Sequence, residues 1–330
     1  MATTLPRNIY EQQSHNKGMT LVVMAGFIFF LTFIGLGFDF FYLESLTEEM
    51  FFPIGTFIAL AFGFGSSFWG LQSGAAAVLS SSGAQPANPA NPDHRQLINT
   101  VEEMSIAAGM VMPNVFVIPD PDPNAFATGK DPHHSSIAVT QGLLTKLNRE
   151  ELQGVVAHEM SHIRNYDIRL MTIVAALMGA ILLLSDWARR AMWYGGGSRR
   201  RKSSGGGSPL MLILLVFWII GIILAPLISQ LMAMAISRKR EYLADASGAE
   251  LTRNPLGLAR ALRKIEDAAE PTAAIKRGAA HLCIADPLGK KINLKEGFFA
   301  ELFGTHPPTG KRILALQAMA YQYERSSTSA

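Results

Sequence analysis

"GVVAHEMSHIRN", residues 154–165, decides how the rest of the chain is read. Two histidines stand four apart, and a glutamate directly follows the first. On a helix, positions i and i+4 differ by about 40° around the axis, so His158 and His162 share one face. Two imidazoles so placed can grip one zinc ion, with Glu159 offset toward the metal's water. The competing reading is a pair of solvated helix histidines. Gly154, Val155, Val156 and Ala157 weigh against it. Small apolar residues mark a buried helix, and buried histidines need partners.

Working upstream, Asn148 with Glu151 three residues on is a capping-box start for this helix. Residues 94–169 read as a compact α/β unit, with a helix over about 95–108. Extended runs at 115–118, 125–128 and 136–140, separated by Pro and Gly, predict a small antiparallel meander. Residues 80–93, "SSSGAQPANPANPD", have the composition of a linker.

Beyond that linker the sequence is written for a membrane. The chain has 330 residues, 49% of them apolar and 17% charged. Residues 19–38 and 50–79 carry no charge, and about 20 such residues cross a bilayer core. Gly63, Gly65, Gly70 and Gly74 suit the second run to close helix packing. Further apolar runs lie at 170–185 and 209–237, with a basic, glycine-bracketed loop at 195–208 between them. The first run is too long for a signal peptide, and an acidic stretch follows it in place of a cleavage site. The expected organisation is a membrane hairpin (1–79), the linker, a catalytic α/β part (94–169), a second hydrophobic hairpin (170–237) and a helical C-terminal part (238–330). A net charge of +3 suits anionic headgroups of a lipid bilayer, not nucleic acid. The single cysteine, Cys283, excludes an internal disulfide and reads as a small buried residue.

The C-terminal part offers a third ligand. Glu241 in "EYLADASGAEL" (241–251) falls on a predicted helix, and Asp245 one turn later can accept a hydrogen bond from a ligand histidine. A solvated acidic face is the competing reading for both. Three protein ligands leave one position open for water, as catalytic zinc sites do. No G-x-S-x-G occurs, and Cys283 lacks a helpful context, so nucleophilic hydrolysis is not indicated.

At this point the chain resembles the HtpX-type membrane zinc metallopeptidases, relatives of the prenyl-protein-processing endopeptidases. The resemblance runs through "NAFATG" (124–129), "HEMSHI" (158–163), "EYLADASGAEL", "HLCIADPL" (281–288) and "THPPTGKRI" (305–313). It implies an α-helical membrane protein with a zincin-like (gluzincin) α/β catalytic domain, and one zinc ion per subunit held by His158, His162 and Glu241. It implies Glu159 as the catalytic residue, and a multi-pass protein of the bacterial cytoplasmic membrane that cleaves misfolded or damaged membrane proteins and unfolded polypeptides under stress. Processing of lipidated substrates and an inactive membrane scaffold are the alternatives.

Substrate contacts stay open at this stage. Asn124, Ala125, Phe126 and Ala127 form either an edge strand that pairs with an extended substrate or an ordinary meander strand. His306 and Arg312 either hold a developing oxyanion or the substrate backbone, or are a loop histidine and a solvated arginine. The 39–50 loop has Asp39, Glu44, Glu48 and Glu49 and no Lys or Arg, which predicts that it lies outside and the catalytic site in the cytoplasm. Since His158 and Glu241 flank the later runs, both runs cross the membrane or neither does. Two crossings are expected, with a pair of re-entrant helices as the alternative.

Overall fold

The computed structural model describes residues 9–40, 53–194, 238–268, 272–275, 277–285, 287 and 307–328. Two long apolar helices open the chain, α1 (Ile9–Phe38) and α2 (Ile54–Ser81). Among the described residues, Gln13–Phe38 and Ile54–Ser81 are long and apolar enough to cross a membrane. Their outer faces show Leu21, Val22, Phe29, Ile58, Phe64 and Phe68. In water such faces would be costly, and in lipid they are not. Asp39 is not a free loop charge. Its carboxylate accepts from the Gly55 and Thr56 backbone N–H groups at 2.6 and 2.7 Å, which caps the start of α2.

The catalytic part begins earlier than the composition suggests. Within the expected linker, β1 (Gln85–Pro86) already pairs with β2 (Asn114–Ile118). Helix α3 (Pro92–Ala108) follows β1, capped by the Asn91 side chain. Next come β3 (Ala125–Asp131), β4 (His134–Thr140), α4 (Gln141–Lys146) and α5 (Arg149–Arg164).

The sheet order is β1-β2-β4-β3, and β2 runs parallel to β4. The antiparallel meander is therefore corrected to a mixed sheet, with only β1–β2 and β3–β4 antiparallel. The cause lies in residues 119–124, "PDPDPN". Three prolines cannot donate to a ladder, so the chain leaves β2 without a hairpin. It crosses over the start of α4, where a Cβ on Gly142 would meet the Pro121 carbonyl oxygen. Strand β3 lands at the far edge, and β4 returns into the gap.

Helix α5 starts with the capping box expected of Asn148 and Glu151. It is buried around nearly its whole girth, with Leu152, Val155, Val156, Met160 and Ile163 packed against Leu97, Val101, Leu258 and Leu262. Each such side chain contributes about 1.5–3 kcal/mol when fully buried. Helix α6 (Asp167–Tyr194) then runs beside α1, where Leu170, Ile173, Val174, Leu177 and Ile181 meet Val23, Phe27 and Leu31. Gly70 and Gly74 of α2 bring that helix against Ala176 and Thr172 of α6, and Gly63 faces Ile28 of α1. Gly65 faces open space, so the expected packing role holds for three of the four glycines.

The described C-terminal part consists of α7 (Arg238–Thr252), α8 (Pro255–Asp267), a 3-10 turn (Arg277–Leu282) and α9 (Thr309–Thr328). The fourth apolar run, the basic loop at 195–208 and His306 lie outside the described residues.

Candidate active site

Helix α5 presents His158 and His162 on one face, and α7 crosses that face closely. A Cβ on Gly248 of α7 would stand 2.9 Å from the His158 backbone nitrogen, so the crossing requires glycine or a shift. The close crossing carries Glu241, two turns earlier on α7, over the two imidazoles. His158 Nε2 and His162 Nε2 are 3.3 Å apart. Glu241 oxygens lie 3.8 Å from the first and 3.6 Å from the second. One ligand atom from each of the three residues falls within 4.8 Å of the others. All three side chains are buried.

Donor atoms at these separations fit a metal ion. Tetrahedral zinc with bonds of about 2.0–2.2 Å sets its ligands about 3.3–3.6 Å apart. Each imidazole is also turned from behind. Asp245 Oδ1 lies 3.0 Å from His158 Nδ1, and Asp167 Oδ2 lies 3.0 Å from His162 Nδ1. A carboxylate hydrogen-bonded to His162 Nδ1 and another within ion-pair distance of His158 Nδ1 leave both Nε2 atoms facing the shared centre. Without a metal ion or a proton, two nitrogen lone pairs and a carboxylate would face one another there.

The titration of these groups reflects that surplus of negative charge. Burial alone would depress the His162 imidazolium, but the hydrogen bond to Asp167 and the nearby Glu241 carboxylate outweigh it and push it up to about 9. His158 goes the other way, lowered by burial more than Asp245 raises it. Burial likewise raises Glu159 to about 7, with His162 lowering it and Glu241 raising it further. Neither Glu159 carboxylate oxygen has a regular hydrogen-bond partner among the described residues, although the side chain is 1% exposed. The Ala127 backbone N–H is near enough to offset a little of the rise.

Arg312 has a different place from the expected substrate contact. It is 1% exposed, and it donates through Nε and one terminal nitrogen to both Asp245 oxygens at 2.8 and 2.7 Å. Its other nitrogen donates to the Ile284 carbonyl at 3.0 Å and stands 3.4 Å from Glu241. Although burial alone would raise it, this pairing holds Asp245 down to about 2. A buried guanidinium has to pair, and here its partner is the carboxylate that orients His158.

The expected substrate edge is also revised. Strand β3 is the last strand of the sheet, yet Phe126 forms an antiparallel bridge with Cys283, and the Ile284 N–H donates to the Ala125 carbonyl. The Asn124 side chain donates to Thr272 and to the Ala285 carbonyl. Asn124, Ala125 and Phe126 are thus covered by this chain's own segment, and the Ala127 backbone N–H is near Glu159.

Asp167 was missed in the sequence, along with the residues that hold it. Helix α5 ends at Arg164, and Tyr166 takes φ 59°, a left-handed turn unusual for an aromatic residue. The turn starts α6 with Asp167 facing back toward His162. Asn16 of α1 donates to the other Asp167 oxygen at 2.6 Å, and the Arg240 guanidinium stands 3.4 Å from it. An Asp five residues past the second histidine was the one visible signal.

The sequence profile of peptidase family M48 matches residues 91–320. A "Protease HtpX homolog" of Lactobacillus helveticus is 43% identical over 315 residues, which is 94% of this chain and 100% of that protein. Its counterpart from Thermoanaerobacter pseudethanolicus is 44% identical over 316 residues, 95% of this chain and 98% of that protein. The crystal structure of S. mikatae Ste24p aligns at a TM-score of 0.48 and 20% identity, over 93% of this chain and 66% of that one.

Proposed function

The chain belongs to peptidase family M48 and is a metallopeptidase, and from that premise we propose that it is a membrane-anchored zinc endopeptidase centred on His158, His162, Glu241 and Glu159. The observation that carries the reading is the convergence of three buried donors within 4.8 Å, beside a buried carboxylate without a regular partner among the described residues. Bound by the three donors, zinc would act as a Lewis acid on the scissile carbonyl and bring the pKa of water toward about 7.

The chain's own residues divide the remaining work. Glu159 takes the proton of the attacking water and returns it to the leaving amine, a task suited to a carboxylate whose pKa burial has raised. Asp245 and Asp167 fix the imidazoles, and Arg312 fixes Asp245. Two contacts support a site close to the membrane surface. Asn16, three residues before the apolar run that begins at Met19, reaches the turn directly after the histidine helix. Both ends of the α1–α2 hairpin thus adjoin the catalytic part, since Val78 and Leu79 of α2 pack with Phe126 and Ala138 of the sheet.

A site so close to the bilayer suits membrane proteins and unfolded polypeptides presented at its surface, as in quality control of damaged membrane proteins. The absence of Lys and Arg from 39–50 favours an outward far end of the hairpin, with the site facing the bacterial cytoplasm. The test is metal analysis and casein cleavage of the purified chain against Glu241→Ala. The variant should lose tightly bound zinc and proteolysis together. Full zinc occupancy in Glu241→Ala would move the third ligand elsewhere.

A further inference from the structure

The first membrane helix does more than anchor the chain. Four contacts from one stretch of α1 close on the turn between α5 and α6. Gln13 donates to the Arg164 carbonyl at 2.9 Å, and Asn16 donates to the Asn165 carbonyl at 2.9 Å. Asn16 also donates to Asp167 Oδ1 at 2.6 Å, and Lys17 stands 4.2 Å over the Tyr166 ring. Every residue of the turn from 164 to 167 is therefore held from α1, some 150 positions away in sequence.

Such a turn needs holding. Tyr166 sits at φ 59°, a conformation that persists in a residue with a side chain only when its surroundings impose it. The product of the turn is the placement of Asp167, whose two oxygens point opposite ways. Oδ2 meets His162 Nδ1, and Oδ1 meets Asn16. Asn16 and Asp167 are both 1% exposed, so water does not compete for these bonds. Arg240 completes the group, 3.4 Å from both Asn16 Oδ1 and Asp167 Oδ1. It directly precedes Glu241 on α7, so Asn16 touches a neighbour of each half of the donor set.

We infer that Asn16 is a positioning residue for the metal centre: by holding Asp167 and the Tyr166 turn, it sets His162 and makes metal affinity depend on the seating of the first membrane helix. The inference rests on the zinc site proposed above. Asn16 touches neither metal nor substrate and acts through Asp167, the Asn165 carbonyl and Arg240. An amide is suited to this place because it donates to Asp167 and accepts from Arg240 at once, which neither a carboxylate nor an alanine does.

The test uses the full-length protein in detergent, with zinc affinity measured by competition with a chromophoric chelator and cobalt(II) absorption as a second readout. Asn16→Ala should weaken zinc binding about tenfold, the low end of the range for groups behind a ligand. It should also shift the cobalt spectrum. Asn16→Asp keeps the size of the side chain, removes the donating amide and should weaken binding likewise, which guards against a folding defect in the alanine variant. Asp167→Asn should weaken binding as much or more, and adding Asn16→Ala to it should cost clearly less than Asn16→Ala costs alone, because most of the effect runs through Asp167. Wild-type affinity in both Asn16 variants, or losses that multiply in the double variant, would overturn the inference while leaving the zinc site standing. A wild-type protein that takes up no zinc would instead overturn the site itself, and this inference with it.

Discussion

At the scale of single residues, the donor set competes with protons before it meets a metal. His162 is pushed up to about 9 in the metal-free chain and Glu159 to about 7, so at pH 8 the first is protonated and the second mostly ionised. A ligand imidazole must be neutral, so zinc uptake at pH 8 should release about one proton. Because the raised pKa keeps that proton bound below about 9, zinc affinity should climb about tenfold per pH unit up to that point and then level off. Zinc titrations in buffers of different ionisation enthalpy measure the release directly, and uptake without it would show that His162 is already neutral in the metal-free chain, against the raised pKa. The motif residues were legible because their chemistry depends on helical spacing alone. Asp167 and Asn16 were not, because their meeting depends on the left-handed Tyr166 and on a contact across 151 positions. Arg312 was misread because nothing in "THPPTGKRI" indicates that its guanidinium is buried against Asp245.

Among the elements, local signals survived and long-range pairings did not. Asn148 and Glu151 form their capping box through contacts three residues apart, worth about 1 kcal/mol, and composition alone reveals it. The three strands fell where β-rich runs lay between prolines and glycines, with ends that differ by only a few residues. Their order is another matter. A meander is the default for short connections, but Pro119, Pro121 and Pro123 carry the chain past β4's place and make β2 and β4 parallel neighbours. The covering of β3 by Cys283 and Ile284 joins segments some 157 positions apart, which no periodicity encodes. Gly248 shows the same limit, since its reason is the backbone of His158 on another helix.

For the whole molecule, membrane insertion and catalysis share one frame. Helix α6 leaves the Tyr166 turn, follows α1 through Ile181 and continues to Tyr194, about 42 Å of unbroken helix. The apolar part of that helix, residues 170–185, is short, and Asp186, Arg189 and Arg190 follow it ahead of Arg199, Arg200, Arg201 and Lys202; two full crossings are nevertheless what we propose, on the packing of α6 against α1. Cysteines at Ser198 and Ser204, with Cys283 replaced, should therefore react with an impermeant reagent added to intact cells. Protection until the cells are opened would return both later runs to a re-entrant pair. The central claim is narrower, that one glutamate moves protons beside a metal it does not bind. Zinc content and casein cleavage of the purified wild type and Glu159→Gln test it most directly. The account predicts about one zinc per chain in both proteins and a loss of cleavage in the variant of at least a hundredfold. Cleavage within tenfold of wild type, or a variant that has lost its zinc, would contradict it.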